Sequence, residues 1–172
     1  MSYYFAIVGT QDNPLFEHEF GTSRSGGDGV ARFREEARHM NQFVVHGSLD
    51  VVDEAQWAAA GAMYLRHVDR FHNNYVSCFA AAAGARFMLL HNPDTHAGPK
   101  AGAGAGAARA YGQASSTYNP AAPAVEEAIK NFFVEVYEVW VKTVMNPFYK
   151  KEGKVTSPVF RARVAAAARK YL

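Results

Sequence analysis

The chain opens on an apolar run, "YYFAIVG", rich in aromatic and β-branched residues, which predicts a strand. "TQDNP" follows with three turn formers. "LFEHEF" then alternates, with Phe16, His18 and Phe20 set against Glu17 and Glu19. That period of two predicts the return strand of a hairpin, half exposed and at a sheet edge. The period then changes. From about Val30 to about Trp57, Phe33, Ala37, Met40, Val44 and Val51 recur at helical spacing, with Gly47 in the same line, and predict one long helix. Asp28 or Ser25 is placed to cap it. Three strands follow closely: "MYLRHVDRF", then "YVSCFAAAA" beyond "HNN", then "RFMLLH" beyond a turn at Gly84. The last two are apolar on both alternating faces, as central strands covered on both sides are.

The helices needed for that cover come last. "VEEAIKNFFVEVYEVWVKTVM" puts Val125, Ile129, Phe132, Val136, Trp140 and Val144 on one face. Phe133, Tyr137 and Val141 form an adjoining stripe that points sideways, toward the last helix or another subunit. "SPVFRARVAAAARKYL" begins with Ser157 as N-cap and Pro158 at the first helical position, and carries Phe160, Val164, Ala167, Ala168 and Tyr171 as its stripe. The order is β-β-α-β-β-β-α-α, an α+β sandwich in three layers. Residues 1–172 make a single domain, interrupted by an Ala/Gly/Pro-rich stretch at about 93–124 that reads as a flexible loop.

The long helix has a second line of interest. His46, Asp50, Asp53 and Trp57 step by four, three and four, away from the core stripe. A helix with one face on a core has no need of a tryptophan elsewhere. The line predicts a protein-binding surface, in which Trp supplies contact area and the carboxylates supply register. The bland alternative is a solvated acidic face, since most exposed carboxylates contribute little. Tyr137 is a further candidate for partner contact, because the apolarity of its helix is wider than one sheet contact requires.

Composition narrows the class. A chain of 172 residues, 49% hydrophobic and 20% charged, is globular rather than disordered. A net charge of +2 leaves no nucleic-acid footprint. The charge is unevenly spread, however: Lys142 to Leu172 holds eight Lys/Arg against one acid, and the rest of the chain ten against fifteen. A basic end on a mildly acidic body suggests an acidic partner or an anionic membrane surface, or simply a solvated helix face. Cys78 stands alone, so no internal disulfide is possible, which fits a reducing compartment. "MSYYFAIVG" has no basic n-region, and no window reaches the ~18 apolar residues of a membrane span. The expectation is a soluble intracellular protein, with membrane contact peripheral or through partners.

No catalytic pattern is legible. None of the seven histidines forms H-E-x-x-H, and His39 and His46 lack an evident third ligand. There is no G-x-S-x-G elbow, no G-x-G-x-x-G after a strand, and "GAGAG" lacks the Gly-Lys ending of a phosphate loop. Asp50, Asp53 and Glu54 lie at surface spacing on one helix. The residues point to no enzyme, no cofactor and no metal.

"FAIVG" and "DNPLFEHEF", then "HMNQFVVHGSLDVVDEAQW", "MYLRHVDRFHNNYVSCF", "RFMLLH" and "IKNFFVEVYEVWVKTVMNPFY" together resemble the sedlin family, small subunits of the TRAPP vesicle-tethering complexes. The match runs in order over most of Tyr4 to His91 and Ile129 to Tyr149. It departs at "GTSRSGGDG", at Pro93 to Val125, and more loosely in the last helix. The resemblance implies a longin-like fold, with a five-stranded antiparallel sheet between one helix on one face and two on the other. It further implies a non-catalytic adaptor that docks other TRAPP subunits, cytoplasmic and peripheral at endoplasmic reticulum and Golgi membranes, acting in transport between them. A Rab-family GTPase would be an indirect partner, since nucleotide exchange is attributed to other subunits. Asp50 lies within the "LDVVDE" segment that carries the resemblance and is the residue expected to matter most. Two rival readings are the longin domain of a SNARE or adaptor small subunit, and a small ligand-binding or catalytic α+β domain with convergent polar groups in a pocket.

Overall fold

The computed structural model describes residues 1–23, 27–33, 35–93 and 122–172, without the side chains of Glu36 and Ala37. Five strands form one antiparallel sheet in the order β2-β1-β5-β4-β3. They are β1 Ser2–Val8, β2 Pro14–Gly21, β3 Tyr64–Phe71, β4 Asn74–Ala80 and β5 Arg86–Asn92. Phe5 of β1 sits opposite His18 on one side and Leu89 on the other. The alternating β2 is at an edge and half buried, as its pattern predicts, while apolar β4 and β5 are interior. Gly84 has φ +86 in the turn between them, a conformation that L side chains rarely adopt.

Two hydrophobic cores flank the sheet. On one face Phe5, Ile7, Phe16, Phe20, Phe79, Phe87 and Leu89 meet two C-terminal helices. These are α3, Pro123–Val144, which contributes Ile129, Phe132, Phe133, Val136 and Trp140, and α4, Pro158–Tyr171, which contributes Phe160, Val164, Ala167 and Ala168. On the other face Tyr4, Ala6, Val8, Val76, Cys78, Met88 and Leu90 meet α1, Glu35–Gly47, and α2, Leu49–Ala58. This is the layered sheet that the resemblance implies. Ser157 caps α4, its hydroxyl accepting from Phe160 N–H at 3.4 Å, with Pro158 at the start of the helix. Cys78 is fully buried, and burial pushes its thiol up to about 12, so it is an inert core residue.

The single long helix is corrected in three respects. It starts at Glu35 rather than about Val30, because the preceding segment bonds to the sheet edge instead. Gly21 N–H donates to Gly29 O at 2.9 Å, and Arg32 N–H to Ser2 Oγ at 2.8 Å. Asp28 accordingly accepts from Val30 N–H and does not cap a helix; Ser25 lies outside the described residues. Second, the helix is interrupted at Ser48, whose ψ of −9° departs from the helical value, although Ser48 N–H to Val44 O and Val52 N–H to Ser48 O (both 3.0 Å) carry bonding across the junction. Third, the buried stripe is turned by one residue. Asn41, Val44, Val45, Ser48, Leu49 and Val52 are buried, whereas Gly47 and Val51 are exposed. Two polar residues on the buried face hid it from a count of apolar positions. Ser48 is satisfied there, its Oγ 2.8 Å from both Val44 O and Asp69 Oδ2. The side chain of Ala37 is not described, and most of the expected 93–124 loop lies outside the described residues.

Tyr137 is corrected as well. Its ring lies 5.4 Å from that of Phe79 and 6.1 Å from that of Phe87, and it packs half-buried on the sheet rather than pointing sideways. Phe133 does the same, fully buried beside Phe5, Tyr64 and Phe79. Phe79 on β4 and Phe87 on β5 meet this wide helix face, so Phe133 is wholly taken up inside the molecule and Tyr137 in part, while Val141 stays half-buried.

Candidate partner-binding surface

Turning the buried stripe by one residue fixes what faces outward. His46, Asp50, Asp53 and Trp57 are all exposed, Trp57 by 89%. Asp50 and Trp57 are two helical turns apart on the outer face of α2. Two turns before Asp50, on α1, stands Phe43, 66% exposed, which the sequence reading missed. Its signal was available: Phe43, Asp50 and Trp57 recur every seven residues, opposite the true core stripe. At a rise of ~1.5 Å per residue the two aromatics stand about 21 Å apart along the helices, with a carboxylate midway.

The other two members of the line take different positions. Asp53 turns toward the sheet, its Oδ1 2.8 Å from Nη2 of Arg86 at the start of β5, while Nη1 of the same guanidinium meets Asp12 Oδ1 at 2.7 Å. Asp53 is therefore half anchored. His46 lines a cleft of about 180 Å³ between α1 and the β1–β2 hairpin, with Ala6, Val8, Val45 and Leu49 as apolar wall and Glu17 and Gln42 as polar rim. The rim is self-satisfied. Tyr4 Oη donates to Glu17 Oε1, and Gln42 Nε2 donates to the same oxygen at 2.6 Å. Burial, and after it the Glu17 carboxylate, holds the Tyr4 hydroxyl in its protonated form by raising its pKa. The cleft is smaller than the roughly 300 Å³ at which ligand pockets begin.

Among the described residues, no group of three or more His, Cys, Asp or Glu is placed to hold a metal ion. Nor is any helix among them long and apolar enough to cross a membrane. Tyr137 lies across the sheet from this surface and is not brought together with it. What α1 and α2 offer is two large exposed aromatics and a carboxylate on one helical face. Residues 7–170 match the family described as Sedlin.

The chain belongs to the sedlin family.

This sedlin-family chain is 36% identical over 172 residues to the "Transport protein particle 20 kDa subunit" of Schizosaccharomyces pombe, covering 100% of both chains. It is 34% identical to the "Probable trafficking protein particle complex subunit 2" of Drosophila melanogaster, over 99% of this chain and 97% of the relative. The protein of the same name in Caenorhabditis elegans is 35% identical, over 99% and 96%. The longin-like fold follows the family, and both agree with the sheet and helix layers described above.

Proposed function

We propose that this chain is a non-catalytic adaptor subunit of a TRAPP-type vesicle-tethering complex, and that the outer face of α1 and α2 docks a larger subunit. The names of its relatives as subunits of a transport or trafficking protein particle support the first half. The exposure of Trp57 and Phe43 on either side of Asp50 supports the second. Interface hot spots favour large aromatics set in a central, desolvated position, and neighbouring carboxylates select the partner. The chain would act peripherally at endoplasmic reticulum and Golgi membranes, with a Rab-family GTPase an indirect partner reached through other subunits.

Asp50→Tyr is the deciding substitution. Asp50 is exposed, so the variant should keep its far-ultraviolet circular dichroism and melting temperature. Co-purification of a larger subunit with the tagged chain should be lost. Unfolding would make Asp50 a structural residue, and unchanged assembly would move the docking surface elsewhere.

A further inference from the structure

The connection from α3 to α4, residues 145–157, is where the basic C-terminal end meets a second apolar exposure. Met145 is 76% exposed and Phe148 is 90% exposed, next to Val144 at 40%. Lys142, Lys150, Lys151 and Lys154 bracket them in the chain, all exposed. Among the described residues none of the ion pairs involves these four lysines. By contrast Lys170 is held by Glu135 at 2.8 Å, and Arg161 lies over the ring of Phe16.

The connection is built rather than loose. Asn146 Oδ1 accepts from Phe148 N–H at 3.0 Å, and Tyr149 Oη donates to Gly153 O at 3.0 Å. The Tyr149 ring meets Trp140 edge-on at 6.0 Å. Glu152, the one acid between Lys142 and Leu172, reaches across to the β1–β2 turn: its carboxylate accepts from Thr10 N–H at 3.1 Å and Thr10 Oγ1 at 3.0 Å, and its carbonyl from Asn13 Nδ2 at 3.2 Å. The one carboxylate of this region is thus held at the β1–β2 turn, while the lysines, Met145 and Phe148 are exposed.

We propose that this connection is a membrane-docking tip: Phe148 and Met145 enter the interfacial layer of an anionic bilayer while Lys142, Lys150, Lys151 and Lys154 meet its negatively charged headgroups. Phe and Met are common at protein interfaces, but lysine is depleted there, and four lysines with no ion-pair partner among the described residues favour a negatively charged headgroup layer. Lysine stems lie along apolar surface with their ammonium groups in the headgroup region, and an aromatic ring and a thioether sit at the acyl boundary. One small tip binds reversibly. Its effect multiplies when other subunits of an assembly contact the same membrane.

The test is vesicle flotation of the purified full chain. Vesicles of phosphatidylcholine alone should leave the protein unbound, and those with about 30 mol% phosphatidylserine should carry it up, with binding falling as salt shortens the Debye length. Phe148→Ser with Met145→Ser, and separately Lys150→Glu with Lys151→Glu and Lys154→Glu, should each weaken partitioning by about tenfold or more. All five residues are exposed, so both variants should melt with the wild type. Asp50→Tyr should bind the vesicles normally, which separates this proposal from the subunit-docking one. Indifference to phosphatidylserine, or binding unchanged in either variant, overturns the proposal. So does cross-linking of these lysines to an acidic segment of another subunit in a wild type that ignores vesicles.

Discussion

Arg86 Nη2 lies 2.8 Å from Asp53 Oδ1, so the first residue of β5 holds the middle of α2. The Arg86 side chain is only 16% exposed, and the other arm of its guanidinium reaches Asp12 in the β1–β2 turn. Three separate pieces of chain are joined at one planar fork, which matches two carboxylates better than an ammonium would. The Asp53 side chain is 52% exposed, and solvent screens the pair accordingly. Asp53→Asn should therefore cost no more than about 1 kcal/mol in urea unfolding. In the subunit co-purification assay it should weaken assembly less than Asp50→Tyr, because its carboxylate is already committed to Arg86.

Trp57 and Phe43 make the opposite pairing of effects. Both side chains are largely in solvent, so Trp57→Ala and Phe43→Ala should change stability by about 0.5 kcal/mol or less. Their loss in affinity for a larger subunit should reach about 2 kcal/mol for at least one of them, measured by calorimetry on the purified pair. Equal affinity in both variants would leave Asp50 without its flanking anchors and the surface reading without support.

Tyr137 is expected to behave as a core residue. With its ring on Phe79 and Phe87, Tyr137→Glu should cost about 3 kcal/mol or more, by lost packing and by a carboxylate forced against aromatic rings. Tyr137→Phe keeps the ring and should be nearly neutral. Thermal melts of the two variants decide the matter directly.

Ser48 holds the junction of α1 and α2 to β3. Ser48 is fully buried, so removing its hydroxyl takes one contact from the half-buried Asp69 carboxylate, which keeps its bond from Arg70 N–H. Ser48→Ala should cost about 1–3 kcal/mol in equilibrium unfolding. Ser48→Thr keeps the hydroxyl but adds a methyl at a fully buried position, so it should rescue only in part.

His91 gives stability a pH dependence. It is fully buried between the rings of Tyr3 and Tyr75, and burial, then the nearby His67, lowers its pKa to about 3. The unfolded chain takes up a proton at about 6.5 and the folded one does not until about 3. Between those values the unfolded state binds more protons, so stability is full above about pH 6.5 and falls as pH drops toward 3. The contribution to the slope is at most about 1.4 kcal/mol per pH unit. His91→Phe should flatten that part of the profile in urea titrations run from pH 7 to 4.

The sequence by itself determined the strands, their interior or edge positions, the capped last helix and the family. The elements are set by local information: a period of two in "LFEHEF", unbroken apolarity in "YVSCFAAAA", Ser157 ahead of Pro158; the family came from the resemblance of whole segments. It also marked Trp57 and Asp50, because a large aromatic off the core stripe stands out in the pattern. Only the tertiary structure decided which side of the long helix is inside. Asn41 and Ser48 are polar, and a count of apolar positions cannot know that Ser48 finds Val44 O and Asp69 across the junction. Phe43 was lost with that phase and Asp53 was assigned wholly to the surface, since Arg86 lies 33 residues away in the chain and meets it only after the sheet has formed. Tyr137 shows the same limit from the other side. How much apolar width a helix buries depends on the phenylalanines it meets, and those come from strands that the helix sequence does not contain.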